Sequence, residues 1–476
     1  MKNILFVSAE VAPFVKTGGL ADVVGALPQE LLKYNNNVDV ILPKYSTISQ
    51  ENKEGMEFLT DFEVKVGWRD AFVGLWKKTI GKIDYYFIEN EYYFNRSLIY
   101  GNDDEGEKFS YFNKAVLESL KYIDRNYDIL HLNDWHTGMI SLLMKEHYSN
   151  DERYKNIKTV YTIHNLKYQG IYDPILLDEI LGLDMEHLYN GSIEFFGNIN
   201  FMKAGITFSD IVTTVSKTYS DEIKDEYYGE GLHGLFSSAD NKLVGVVNGI
   251  DTSYYNPKTD TDISYNYDLR GYKKKRKNKA ILQEKLGLDV NKDIPMIGIV
   301  TRLVEAKGID LILHILKELL ELDVQIVLLG TGDTKFENDF KWFDHNYENF
   351  SANIYFDAKM AKNIYASADI FLMPSRYEPC GLGQLIAQRY GNAPIVRKTG
   401  GLADTVQNYN TETKKGNGFV FEDYNAHSLL FKIKEALNLY NDDNEWSQLF
   451  KNCIKSDNSW AKSASKYNEI YSRLIK

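Results

Sequence analysis

Met296-Ile297-Gly298-Ile299-Val300 is apolar throughout, Thr301-Arg302 follows at once, Lys307-Gly308 closes the turn, and residues 310–321 then carry apolar side chains at helical spacing. An apolar run, a polar turn and an amphipathic helix make the repeating unit of a parallel sheet with crossover helices. A strand covered on both faces has no polar face to alternate with. The unit recurs along the chain. Apolar runs lie at 3–8, 37–42, 129–132, 158–163, 211–215 and 244–247, and again at 296–300, 325–329, 370–373, 393–397 and 418–421. Helical patterns stand between them at 110–123, 310–321, 382–390 and 426–440. The pattern predicts an α/β, doubly wound chain. A polar stretch at 260–279 interrupts it, and its basic cluster Lys273, Lys274, Lys275, Arg276 and Lys277 reads as the solvated entry to a helix around 280–286, the rival reading being a patch that touches an anionic ligand.

With 476 residues, 44% hydrophobic and 26% charged, the chain is too long for one domain of ordinary size. The sequence predicts a junction near 245–260. A formal net charge of −12 gives no support to a global nucleic-acid-binding role. The two cysteines, Cys380 and Cys453, argue against a disulfide scaffold and a cysteine-based zinc site, and they fit a reducing cytoplasm. The apolar run after the N-terminus is broken by Glu10 and is too short for a secretory segment. No stretch approaches a membrane span, so no membrane partner is expected.

In open α/β sheets, ligands bind at the carboxyl ends of the strands. Polar and glycine-rich clusters sit at those places: Lys16-Thr17-Gly18-Gly19-Leu20-Ala21-Asp22, Asn133-Asp134-Trp135-His136, His164-Asn165, Thr301-Arg302 with Lys307-Gly308, Gly330-Thr331-Gly332-Asp333, and Pro374 through Leu382. Two sheets so equipped predict two Rossmann-like domains facing one another across a deep cleft. Arg302 and Lys307 suit a diphosphate, and Gly381 to Gly383 opens a helix whose first amides can accept phosphate oxygens. A nucleotide diphosphate donor is implied. Gly229-Glu230-Gly231-Leu232-His233-Gly234 matches the dinucleotide fingerprint in letters but follows a polar helical stretch instead of a strand, so it is not read as an NAD site. Asp260-Thr261-Asp262 reads as loop, and no Walker A sequence occurs.

Several of these stretches together resemble the bacterial glycogen synthases and plant starch synthases, glycosyltransferase family 5, of GT-B fold. The resemblance covers nearly the whole chain. It rests on Lys16 through Val23, Asn133 through His136, Thr162 through Gly170, Asn248-Gly249-Ile250-Asp251, Arg302-Leu303 with Lys307-Gly308, Pro374 through Leu382, and Thr399 through Val406. It implies retaining transfer of glucose from ADP-glucose to the non-reducing end of glycogen or another α-1,4-glucan, with no cofactor and no metal. It also implies an N-terminal domain over 1–248 on the acceptor side, a C-terminal domain over 249–458 on the donor side, and a helix over 459–476 crossing back to the first. Lys16 and the Gly18-Gly19 backbone would approach the donor phosphates from the first domain, with Asp22 beside them, while Arg302 and Lys307 grip them from the second. Glu378 would hold the glucose hydroxyls. Gly381, Leu382 and Gly383, beside Cys380, would meet the distal phosphate or sugar, and Asn248 would contact substrate. Asp134 and His164 would line the sugar site, the latter through its backbone carbonyl or ring, and Phe356 would stack on adenine.

The chemistry of glucosyl transfer asks for the same residue types. Positive charge grows on the sugar and negative charge on the leaving diphosphate, so cations are needed at one end and carboxylates or carbonyls at the other. Lys16, Arg302 and Lys307 supply the first, and Asp134 and Glu378 the second. Plainer readings exist for the neighbours: Trp135 as a packed wall, His136 as an orienter through ring hydrogen bonds, Cys380 as a small buried side chain, and Glu378 as a structural partner of Arg376. The family pattern is departed from at Ile386, Gly383, Ala306, His233 and Lys108. A transferase using UDP-glucose or another acceptor, and a catalytically silent glucan-binding protein, are the competing readings. Oligomeric state is not legible in the sequence.

Overall fold

The structure is a computed structural model and describes residues 1–475. It divides into two compact units: Met1–Val215 with Ser220–Val246 and the stretch from Trp460, and Val247–Ser459 with Ser216–Tyr219.

The first unit is built on a nine-stranded sheet. Its parallel strands, in chain order, are Asn3–Val7, Asn37–Pro43, Ile83–Glu89, Ile129–Asn133, Lys158–Ile163, Ile211–Thr214 and Leu243–Gly245. Across the sheet they stand third, second, first, fourth, fifth, sixth, seventh. The winding therefore reverses between the first and fourth strands, the switch point at which open sheets take ligands. Ile129–Asn133 is buried at every residue, as a strand covered on both faces must be. Strands Ile83–Glu89 here and Phe350–Asn353 in the second unit lie outside the apolar runs expected from the sequence, as do two antiparallel strands, Glu57–Val66 and Arg69–Ile80, that extend one side of the sheet beyond Ile83–Glu89. In the antiparallel pair side chains alternate and only part of each strand is buried, so they never form a continuous apolar run.

The second unit has a six-stranded, wholly parallel sheet: Met296–Val300, Gln325–Leu329, Phe350–Asn353, Ile370–Met373, Ala393–Arg397 and Phe419–Phe421. The spatial order is again third, second, first, fourth, fifth, sixth. Helix Ile309–Leu320 follows the first strand and buries Ile309, Ile312, Leu316, Leu319 and Leu320, the i, i+3, i+4 face set by 3.6 residues per turn. Gly308 precedes it at φ 71°, and a Cβ there would lie 2.2 Å from the Pro374 carbonyl oxygen. Only glycine lets the turn after the first strand press against the turn after the fourth.

Within the stretch 1–246 one short segment, Ser216–Tyr219, clusters with the second unit, whose main body begins at Val247. Asp404 holds that segment: its carboxylate accepts the Ser216 hydroxyl and the Lys217 amide, each at 2.7 Å, and the Thr218 hydroxyl at 2.6 Å. The basic cluster lies within helix Tyr272–Leu286 and is solvated only in part: Lys273, Lys274 and Lys277 are exposed, whereas Lys275 is 1% exposed and donates to the Tyr365 carbonyl at 2.9 Å and the Asn392 side-chain oxygen at 2.8 Å. One turn on, Lys279 pairs with buried Asp369 at 2.6 Å.

Burial, reinforced by the Lys279 charge, pushes the Lys275 ammonium down to about 7 against the pull of Asp369. An unfolded chain holds that proton up to about pH 10. Between about pH 7 and about pH 10 the unfolded state therefore binds more protons, so stability rises with pH there and rests on its lower plateau below about 7. The urea midpoint of the second unit is expected to climb across that window in the wild type and to stay flatter in Lys275→Met. Equal pH slopes in the two proteins would show that Lys275 is charged in the fold.

Helix Trp460–Leu474 belongs to the first unit and packs on helix Gly19–Leu31. Trp460, Ala464, Tyr467, Ile470 and Tyr471 form its buried face. The Tyr471 hydroxyl meets His131 Nδ1 at 2.6 Å, and His131 Nε2 meets the Thr162 hydroxyl at 2.6 Å. Burial holds the His131 imidazole near 3, so it stays neutral, and the two bonds satisfy both ring nitrogens.

Candidate active site

In the first unit, the strands beside the switch point end in the two clusters that the sequence picks out. After Asn3–Val7 the chain turns through Glu10 to Lys16-Thr17-Gly18, and Gly18 is the extended residue that begins helix Gly19–Leu31. Lys16 pairs with Asp22, in the helix's first turn, at 2.7 Å, and both remain open to solvent. An acidic residue there complements the helix dipole and keeps the lysine over the helix start. Glu10, which the sequence presents only as an interruption of an apolar run, places its carboxylate under this turn.

After Ile129–Asn133 comes Asp134, a non-glycine residue at φ 56°, ψ 179°. Such a conformation costs on the order of 1–3 kcal/mol and persists where surroundings over-determine it. Here the Asp134 amide donates to the Thr162 carbonyl at 2.9 Å, its carbonyl accepts the Thr137 amide at 3.1 Å, and Oδ1 accepts the His164 amide at 2.7 Å. Burial raises its carboxyl to about 7, against the lowering effect of the His164 and Asn165 amides. His164 follows the next strand, Lys158–Ile163; its Nε2 meets the Asn133 side-chain oxygen at 3.0 Å, and burial lowers its imidazole to about 3. The ring is neutral, so His164 brings a carbonyl and a neutral imidazole but no charge.

Trp135 is a wall, edge-on to Phe109 at 5.0 Å. The expectation for His136 is corrected in part: its Nδ1 has no hydrogen-bond partner among the described residues, and the ring packs against Trp135, Phe109 and Tyr100. The Gly229–Gly234 stretch follows helix Lys217–Glu222 and runs into the start of helix His233–Ser238, without the strand a dinucleotide fingerprint requires, and the Glu230 carbonyl accepts from Gln169 at 2.9 Å.

In the second unit, the turns after the first and fourth strands meet. Lys307 Nζ lies 2.5 Å from Glu378 Oε2, which also accepts the Ser375 hydroxyl at 3.0 Å. Glu378 is 6% exposed. The pairing of Glu378 with Arg376 does not occur; Arg376 turns to Glu305 at 2.8 Å instead. Arg302 is exposed and has no ion-pair partner among the described residues. Gly400, at φ 43°, lets the turn after Ala393–Arg397 close on the Glu378 backbone, where a Cβ would lie 2.0 Å from the carbonyl oxygen. The Gly401 amide then donates to that oxygen at 3.1 Å. Glu378 is thus fixed in backbone and side chain.

Gly381 takes φ 75°, Leu382 caps the short helix Gly383–Arg389, and Cys380 is buried beside them. Burial pushes the Cys380 thiol up to about 12, so it is no nucleophile at neutral pH. Asn248 is buried next to Cys380, and its side-chain oxygen has no partner among the described residues. Phe356 stands 89% exposed after strand Phe350–Asn353, a free ring able to stack. Asp260 and Asp262 both pair with Lys362, at 3.4 and 3.0 Å, which makes that acidic triplet structural. Among the described residues no group of three or more His, Cys, Asp or Glu side chains is placed to hold a metal ion, and no helix is long and apolar enough to cross a membrane.

Residues 3–238 match the family described as starch synthase catalytic domain, and residues 281–452 match glycosyl transferases group 1. A glycogen synthase of Clostridium novyi is 50% identical over 475 residues, 99% of each chain. One of Clostridioides difficile is 49% identical, covering 98% of this chain and 99% of its own. The catalytic domain of starch synthase IV from Arabidopsis thaliana, bound to ADP and acarbose, superposes with a TM-score of 0.93 at 33% identity, covering 100% of this chain and 99% of that one. Two doubly wound units whose switch points carry the expected cations and carboxylates, matched over their whole length, place the chain in the family of glycogen and starch synthases, glycosyltransferases of GT-B fold.

Proposed function

We propose that the chain transfers glucose from ADP-glucose to the non-reducing end of an α-1,4-glucan such as glycogen, with retention of configuration, releasing ADP and using neither metal nor cofactor. The observation that carries this reading is the Lys307–Glu378 pair at the switch point of the second sheet. One member suits the negative charge that grows on a leaving diphosphate, the other the positive charge that grows on the glucosyl ring. Arg302 and Lys16 add exposed cations for the phosphates, and Phe356 offers its ring to the adenine. In the first unit, Asp134 supplies a buried carboxyl and His164 a carbonyl and a neutral ring for the sugar. Gly381 to Gly383 and Asn248 provide amide and side-chain contacts to the donor. The buried thiol of Cys380 takes no covalent part. In same-face attack the departing phosphate oxygen accepts the proton of the incoming glucan hydroxyl, so no separate protein base is needed.

The test is incorporation of radiolabelled glucose into added glycogen without metal, comparing ADP-glucose with UDP-glucose at equal concentration. Incorporation mainly from ADP-glucose, in a linkage cut by an α-1,4-specific hydrolase, is the expected result. Incorporation only from UDP-glucose replaces the donor assignment. None from either, by folded protein, overturns the activity in favour of a glucan binder.

A further inference from the structure

The turn that carries Lys16 is held from beneath by one carboxylate to which the proposed reaction gives no role. Glu10 is 4% exposed. Its Oε1 accepts the Thr17 hydroxyl at 2.6 Å and the Tyr100 hydroxyl at 2.7 Å; its Oε2 accepts the Thr17 amide, in a very short contact, and the Gly18 amide at 3.3 Å. Lys16, Thr17, Gly18 and Gly19 are all exposed. Two consecutive glycines leave such a segment with wide backbone freedom, and no side chain at Gly18 caps the helix that follows. Backbone bonds between Val11 and Val15 and from the Ala12 amide to the Ala21 carbonyl hold the loop on either side, but within 16–19 itself, among the described residues, the solvent-open Lys16–Asp22 pair and the bonds to Glu10 are what fixes the turn. The chain places a negative charge next to a turn meant for a diphosphate. That arrangement makes sense if the carboxylate's task is geometry: four donors absorb its charge, and the first-turn amides of the helix, which have no intrahelical acceptors, stay available.

We propose that Glu10 is a positioning residue of the donor site: it locks the Lys16–Gly19 turn in the shape that presents the Lys16 ammonium and the Gly19 and Leu20 amides to the diphosphate. This rests on the reading of the chain as an ADP-glucose-dependent transferase. A turn ordered in advance spares the ligand the entropy of ordering it, so loss of Glu10 acts on donor affinity first.

The experiment measures ADP affinity by calorimetry and steady-state kinetics for ADP-glucose and glycogen, with the full chain, in wild type, Glu10→Ala, Glu10→Gln, Thr17→Val and Tyr100→Phe. Glu10→Ala is expected to raise the donor KM and the ADP Kd at least about tenfold, leaving the glycogen KM within about twofold. Glu10→Gln keeps an acceptor oxygen in place and recovers part of the loss. Thr17→Val and Tyr100→Phe, which each remove one hydrogen bond and no charge, raise the donor KM about two- to fivefold and probe the same carboxylate if Glu10→Ala does not fold. Wild-type donor KM and ADP affinity in the folded variants, or an equal loss of affinity for glycogen, would overturn the assignment while the wild type still transfers glucose. A wild type that fails to use ADP-glucose at all overturns the functional reading itself, and this inference with it.

Discussion

Glu378→Ala lowers the rate of glucosyl transfer at least about a hundredfold, equivalent to about 3 kcal/mol of transition-state stabilisation. The carboxylate sits at the end of strand Ile370–Met373 with Lys307 at 2.5 Å and Ser375 at 3.0 Å. On the proposed reading, truncation removes negative charge from where positive charge would develop, and it frees the Lys307 ammonium from the oxygen it contacts. Glu378→Gln separates these effects from folding. It keeps the volume and an acceptor for Ser375 but not the charge, so turnover falls by a similar factor while the thermal midpoint moves only slightly. The measurement is kcat at saturating donor, with unfolding followed in parallel. Folded variants that turn over within about threefold of wild type would take Glu378 out of the reaction.

Lys307→Ala is expected to cost at least about a hundredfold as well, with a different signature. In the proposed reaction its cation would face the leaving group, whose charge is greatest once the bond from the anomeric carbon to the phosphate oxygen has loosened, so kcat is expected to fall more than donor affinity. Exposed Arg302 remains to bind phosphate. Lys307→Arg does not rescue: a planar fork cannot replace a compact ammonium held 2.5 Å from a carboxylate without displacing it. Because the two side chains touch, the double variant loses less than the product of the single losses. Full additivity, or near-wild-type turnover by folded Lys307→Ala, would sink the paired assignment.

What the sequence discloses follows from how local each signal is. Strands Lys158–Ile163, Met296–Val300, Gln325–Leu329, Ile370–Met373 and Ala393–Arg397 coincide with the apolar runs, since burial on both faces writes itself into consecutive residues. Edge strand Glu57–Val66 and its neighbour Arg69–Ile80 escape because only part of each is buried. Strand ends locate Asp134, Lys307 and Glu378, but the contact between the last two, 71 positions apart, exists only once the fold brings strands one and four together. Glu10 is invisible for a related reason. Its meaning lies in Tyr100, 90 residues on, and in amides that carry no sequence signature. Lys275 misleads because a run of five cations looks like surface, while helical geometry turns one of them inward onto Tyr365 and Asn392.

The helix that starts at Trp460 belongs to the unit that starts at Met1, and this sets an order of events on the ribosome. Synthesis of the intervening second unit takes roughly ten to forty seconds at ordinary elongation rates. Throughout that interval the nascent first unit has helix Gly19–Leu31 packed on strand Asn37–Pro43 but without its partner helix, and the His131 imidazole without its Tyr471 hydroxyl. The part of the molecule translated first is therefore the last to be sealed, and nascent-chain chaperones have a defined sticky surface to shield until the final helix emerges.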